Sequence, residues 1–196
     1  MGRAISDYYH TGKAARLRVF SSMFYEDEIP VPTLFRSFEE MPPQEQEAIK
    51  LCRGRVLDVG AGSGCHSAVL MERGLEVVAI DISELSIEVM KERGIDARNI
   101  NFFDDTFTEK FDTILMAMNG IGIVGKVERL GEFFRAVKRL LAPGGQVLLD
   151  AGKACGLCGF VQIFDGVVDF MQSIFVQLEA GLFRCLTDSL NLDHGG

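Results

Sequence analysis

Gly60, Gly62 and Gly64 alternate directly after the apolar run Arg55-Val-Leu-Asp-Val59, with Asp58 leading them. A backbone without Cβ at alternate positions can take φ > 0 and lie close against a ligand. Val56, Leu57 and Val59 suit a buried parallel strand. Beyond Gly64, Ser67-Ala-Val-Leu-Met-Glu-Arg73 predicts a helix. Its free N–H groups face the turn and favour a carboxylate or phosphate. The chemistry this spacing offers is the holding of a nucleotide-type ligand.

Spacing also says which kind. A dinucleotide fingerprint needs glycines at offsets 0, 2 and 5. Here offset 5 from Gly60 is Cys65 and offset 4 is Gly64, so the turn reads D-x-G-x-G-x-G. A second strand, Leu75–Ile80, ends at Asp81, where a carboxylate can accept from both hydroxyls of a ribose. Ser83 is the better N-cap for the helix Glu84–Arg93. A third strand near Ala97–Ile100 leads into Asn101-Phe-Phe-Asp104. A fourth, Phe111–Met118, runs into Asn119-Gly-Ile-Gly122. A helix from about Val127 to Leu141 then carries Leu130, Phe133, Phe134, Val137 and Leu140 at helical spacing. Leu141-Ala-Pro-Gly-Gly145 follows, with glycines to close the helix and a proline to block it, and feeds the strand Gln146–Leu149.

This ordered series resembles the class I S-adenosylmethionine-dependent methyltransferases, with D-x-G-x-G-x-G as their first motif. The strings EDEIPVPTLFRSFEEMP, CRGRVLDVGAGSGCHS and MNGIGIVG are similar to a small bacterial subgroup of that family. The likeness covers about residues 4 to 150. It implies an α/β, Rossmann-like fold: a mainly parallel twisted sheet with helices on both faces. It implies S-adenosyl-L-methionine as cofactor and methyl transfer to a small molecule by in-line displacement. The cofactor-binding residues it implies are Asp58, Gly60, Ala61, Gly62, Gly64, Asp81, Ile82, Asn101, Phe102, Met118 and Asn119. The glycines would pass beneath the methionine part, with Asp58 ordering the turn's N–H groups or reaching the amino group through water. Asp81 would hold the ribose, and Asn101 and Phe102 the adenine. Asn101 stands where relatives carry Asp, and its carbonyl can still accept from the exocyclic amine. Met118 and Asn119 would lie beside the reacting methyl. No acid–base residue or metal is required. Two rival readings are a non-catalytic S-adenosylmethionine-binding protein and, less favoured by the spacing, a nicotinamide dehydrogenase.

A chain of 196 residues is expected to form one domain: a cap over 1–50, a cofactor core over 51–150 and an atypical tail over 151–196. The net charge of −8 argues against nucleic acid as a partner, since that would show a basic stripe. Lys13, Arg16 and Arg18 are expected on a short helix as a solvated face. No apolar leader is expected in residues 1–20, and the loose myristoylation pattern at Met1-Gly2 is discounted. The chain therefore reads as cytoplasmic, with its five cysteines as free thiols. Cys155-Gly-Leu-Cys158 lacks the second ligand pair that zinc needs. Cys65 and His66 open the first helix of the core, packed or touching ligand, and neither is read as catalytic.

After Asp150 the resemblance stops, and two accounts are open. Phe160, Phe164, Val167, Met171, Ile174 and Leu178 recur at four- and three-residue steps, which predicts an amphipathic helix. That helix would pack on the sheet or make a homodimer through residues 160–180. Alternatively the tail is an altered C-terminus replacing the family's last strands, and the abruptness of the change favours this. A membrane span is not expected, because Asp165 and Asp169 fall inside the run.

Overall fold

Gly12 decides where the first element ends. In a computed structural model that describes residues 1–19, 27–118, 120–150 and 160–164, α1 (Gly2–Thr11) stops there. Gly12 adopts φ 68° and its N–H returns to Tyr8 O, the left-handed cap that glycine makes cheaply. Lys13 and Arg16 therefore lie beyond the helix, and Arg18 sits in β1 (Leu17–Val19), not on the expected helical face. β1 pairs antiparallel with β2 (Asp27–Ile29). A 3-10 turn (Val31–Phe35) follows, and then α2 (Pro43–Leu51). Pro43 occupies the first helical position, where its missing N–H costs nothing.

The sheet begins with β3 (Arg55–Val59), then α3 (Cys65–Glu72), β4 (Glu76–Asp81), α4 (Glu84–Glu92) and β5 (Asp96–Asn99). β6 (Phe111–Met116) leads through two 3-10 turns, Gly120–Val124 and Val127–Arg129, to α5 (Leu130–Leu140) and β7 (Leu141–Asp150). The strand order is β5-β4-β3-β6-β7-β8, parallel from β5 to β7. β3 comes first yet lies inside the sheet, so successive connections leave it toward opposite edges. Ligands bind outside the strand C-termini of such sheets.

Both faces are covered, which is why the strands read as continuous apolar runs. Leu57, Val78 and Ile114 join Phe133, Val137 and Leu140 of α5 in one core. Val56, Leu115 and Leu148 face the other way, against Ile49 of α2 and Leu70 of α3. Neighbouring strand residues point to opposite faces, so Val56 and Leu57 fall in different cores. A smaller cluster joins Ala4 and Ile5 of α1 to Leu34 and Val89.

Two expectations are corrected. Pro143-Gly-Gly145 does not cap α5; α5 ends at Leu140, Leu141 is already extended, and the segment forms an irregularity within β7. Leu141 pairs with Phe111 but Gln146 pairs with Thr113, so four residues of β7 stand opposite the single Asp112 of β6, the strand bulges, and Gly144 takes φ 75°. Phe160–Phe164, expected as the first turn of a helix, is instead β8, antiparallel to β7 from Asp150↔Phe160 to Gln146↔Phe164. A short apolar run has no decisive period of its own, and the edge of β7 supplies backbone partners that a helix would forgo. The rest of the expected stripe, Val167 to Leu178, lies outside the described residues, as do Cys155 and Cys158.

Candidate functional site

The glycine turn closes against the neighbouring strand by backbone bonds. Gly60 N and Ala61 N both donate to Ile80 O, at 2.9 and 3.2 Å, and Gly64 N returns to Ala61 O at 2.8 Å. Gly60, Gly62 and Gly64 have φ of 69°, 60° and 76°, a region that side-chain-bearing residues rarely enter. An added Cβ at Gly60 would meet nothing within 4 Å, whereas at Gly64 it would fall 2.5 Å from Ile95 Cδ1. The first glycine leaves room; the third permits a close approach to Met90 of α4 and to Ile95, which precedes β5.

Asp81, at the end of β4, reaches across to this turn. Its Oδ2 accepts from Gly62 N at 2.9 Å and its Oδ1 from Ser83 N at 2.8 Å. The carboxylate stays partly exposed at the mouth of a cleft of about 220 Å³. That cleft is lined by Gly60, Asp81, Ile82, Asn101 and Phe102 of the expected set, together with Val59, Ile80, Ile100, Phe103, Ile123 and Arg129. Ile82 is 77% exposed there, an unusual position for a large aliphatic side chain. Asn101 Oδ1 accepts from Phe103 N at 3.0 Å, so the amide that should read adenine is already shaped by its own loop. Its oxygen keeps a second lone pair and its NH2 two donors. Phe102 is a core residue, its ring 5.9 Å from that of Phe133. Arg129 lies over the Phe103 ring at 4.5 Å and closes the rim.

Other expected residues stand apart from the cleft. Asp58 is 1% exposed beneath the turn and accepts from Ser67 Oγ at 2.6 Å. It anchors the start of α3, and the turn's Gly62 N–H is taken by Asp81 instead. Burial pushes the Asp58 carboxyl upward, with His66 and Ser67 opposing. Ala61 is packed with Ile87, Met90 and Ile95. Met118 has φ 53°, just past β6, and does not line the cleft. Asn119 lies outside the described residues. Phe103, Ile123 and Arg129 were missed, since no spacing in the sequence brings positions 103 and 129 together.

Around the turn the N-terminal segment makes buried polar contacts. Ser63 Oγ donates to Leu34 O, and Ser63 O accepts from Arg93 Nη1. The Arg93 guanidinium also covers the Phe35 ring at 5.4 Å. His66 Nε2 lies 2.9 Å from Glu45 Oε2, and Arg36 Nη2 donates to the same oxygen. Burial would lower the His66 pKa, but bonding to Cys65 and Glu45 raises it to about 10. Glu45 is held below the usual carboxylate range in spite of burial, because His66 and Arg36 bond to it. Neither Cys65 nor His66 reaches the cleft lining.

A parallel sheet whose glycine turn and second-strand acid meet at one cleft has the layout of a nucleotide-binding α/β protein. Residues 56–145 match the family described as "Methyltransferase domain". A Bacteroides fragilis S-adenosylmethionine-dependent methyltransferase, solved in complex with S-adenosyl-L-homocysteine, is 58% identical with a TM-score of 0.72 over 76% of this chain and 62% of that one. The Cypemycin N-terminal methyltransferase of Streptomyces sp is 35% identical over 48% of this chain and 40% of its own length. The Ubiquinone biosynthesis O-methyltransferase of Dechloromonas aromatica is 35% identical over 53% and 46% respectively. Residues 56–145 thus match a methyltransferase domain, and the chain is similar to S-adenosylmethionine-dependent methyltransferases. It spans less than two thirds of the Bacteroides chain and less than half of the two curated relatives.

Proposed function

We propose that this protein binds S-adenosyl-L-methionine and transfers its methyl group to a small-molecule acceptor. The observation that carries the reading is the partly exposed Asp81 carboxylate, bonded to Gly62 N and Ser83 N at the mouth of the cleft. The residues present fit the cofactor. Gly60 leaves open space where a Cβ would stand, Asp81 keeps free lone pairs for ribose hydroxyls, and Ile82, Ile100 and Ile123 offer apolar walls for a base. The sites we assign are Asp58, Gly60, Ala61, Gly62, Gly64, Asp81, Ile82, Asn101 and Phe102, with Met118 and Asn119 toward the acceptor. Asp58 acts from below, through Ser67, not by contact.

When bound, the cofactor supplies a methyl already activated by a positively charged sulfur. The protein's part is alignment. Asp81 and the glycine turn hold one end of the ligand, Asn101 and its Phe102–Phe103 loop orient the other, and the apolar walls exclude water. Alignment of this kind can supply about 7–11 kcal/mol of a bimolecular barrier, so no acid–base residue is needed. We read the chain as a single domain with a cap at 1–50, a core at 51–150 and a tail at 151–196. A homodimer through residues 160–180 and a cytoplasmic location belong to the same proposal. The buried free thiols Cys52 and Cys65 agree with a reducing compartment. Among the described residues no helix is long and apolar enough to cross a membrane.

Calorimetry with S-adenosylmethionine, S-adenosylhomocysteine and NAD tests the cofactor. Binding of the first two and not NAD is expected; the reverse removes the assignment. Release of S-adenosylhomocysteine in an acceptor screen separates an enzyme from a non-catalytic binder.

A further inference from the structure

Five residues, Gly60 to Gly64, form the cofactor turn, and three of them are glycines in the left-handed region. Such a segment has little conformational preference of its own, so its shape depends on its anchors. The β3 end is fixed by the sheet. At the α3 end, three consecutive residues are held in three directions: Cys65 in the core with Ile49 of α2, His66 on Glu45 of α2, and Ser67 on Asp58 of β3. Glu45 is in turn held by Arg36, whose Nη1 donates to Thr33 O at 2.9 Å.

We propose that the Arg36–Glu45–His66 chain is a positioning device for the cofactor turn: it fixes the first turn of α3 from the cap, and so sets the geometry of Gly60–Gly64 and the affinity of the cleft beside it. This rests on the cofactor reading given above. Stability alone gives no reason for the arrangement. His66 is 4% exposed and Glu45 7%, and buried ion pairs of this kind do no better than apolar packing of the same volume. Among the described residues Arg36 Nε is also buried with no partner, a group that a stability-driven design would satisfy or omit. Directional bonds do supply something that apolar contacts do not, a fixed register between the α2 and α3 helices. The charged and titratable groups facing His66 are Glu45 and Arg36 from the cap, Cys65 from its own helix and Asp58 from β3.

The test uses the full chain and S-adenosylhomocysteine as probe. Glu45→Gln keeps the shape of the side chain and removes its charge. It should bind about tenfold or more weakly, because a small misplacement of a remote support is enough for that loss. In the parent, saturating S-adenosylhomocysteine should move the imidazole 15N signals of His66, which lies outside the cleft lining, and leave those of exposed His10 on α1 unchanged. Parental affinity in Glu45→Gln overturns the proposal. If that variant does not fold, the His66 signals of the parent decide: no movement at saturation overturns it, and movement supports it. A parent that binds neither S-adenosylmethionine nor S-adenosylhomocysteine overturns the cofactor reading itself, and this proposal with it. That result differs from selective loss in the variant.

Discussion

Asp81 Oδ2 and Gly62 N meet at 2.9 Å, joining the end of β4 to the middle of the glycine turn, nineteen residues earlier in the chain. The same carboxylate receives Ser83 N, so one side chain organises the turn and the start of α4 while facing the cleft. The order of the turn and a polar part of the cleft lining therefore depend on one group.

Replacing Asp81 by Ala should weaken S-adenosylmethionine binding by about 1–3 kcal/mol, the usual loss when a charged hydrogen-bond acceptor goes. Asp81→Asn should fall between, since its one carbonyl oxygen can satisfy Gly62 N or Ser83 N but not both. Calorimetry measures both. Affinity equal to the parent in Asp81→Ala would exclude it from the ribose site.

The glycines should separate by phenotype. Gly62→Val should abolish cofactor binding with the fold largely kept, because the nearest heavy atom to its added Cβ is Ile5 Cδ1 at 3.8 Å. Gly64→Ala should instead act on stability, as its Cβ would press Ile95 and Met90 and overpacking costs about 1–3 kcal/mol. Melting curves beside binding isotherms distinguish them. A Gly62→Val protein that stays folded and binds like the parent would contradict the proposed turn.

The His66–Glu45 pair gives stability a pH dependence at both ends. His66 binds its proton more tightly folded than unfolded, so its contribution is complete below about pH 6.5. It is lost as pH rises toward about 10. Glu45, with its pKa lowered by His66 and Arg36, contributes above the ordinary carboxylate range and loses that contribution as pH falls through and below it. The parent's melting temperature should decline between pH 6.5 and 10, more steeply than that of His66→Gln. Parallel curves for the two proteins over that interval would exclude the linkage.

Burial, with Asp58 nearby, pushes the Cys52 thiol up to about 12. Iodoacetamide should leave Cys52 unmodified in the native protein and modify it after unfolding, read by peptide mass spectrometry. Rapid native labelling of Cys52 would show that the α2–β3 junction opens.

Much of this organisation was legible in the chain because it is local. The strand before Gly60, the second strand ending at Asp81 and the Ser83 cap each need only neighbours in sequence, and the structure has all three. Ser83 Oγ accepts from Ser86 N at 3.3 Å, as its position implied. What was not legible needs partners distant in sequence. Nothing near Asp58 announces that Ser67 takes its carboxylate and that Asp81 takes the turn. Likewise nothing near His66 points to Glu45, twenty-one residues upstream on another helix. The Phe160–Phe164 pattern suits either period, and the edge of β7 decided it. Pro143-Gly-Gly145 looked like a helix stop because glycine also serves bulges, and only pairing with β6 tells the two apart.

Ser63 gives the turn a dependence of a different kind. Its hydroxyl is spent on Leu34 O and its carbonyl on Arg93, so the middle of the most family-like segment is bolted to parts of the chain that the family motif does not include. The motif is therefore not a portable module. Grafted onto another sheet, or expressed as the isolated core without residues 1–50, the same glycines would keep their φ freedom and lose the walls that give it direction.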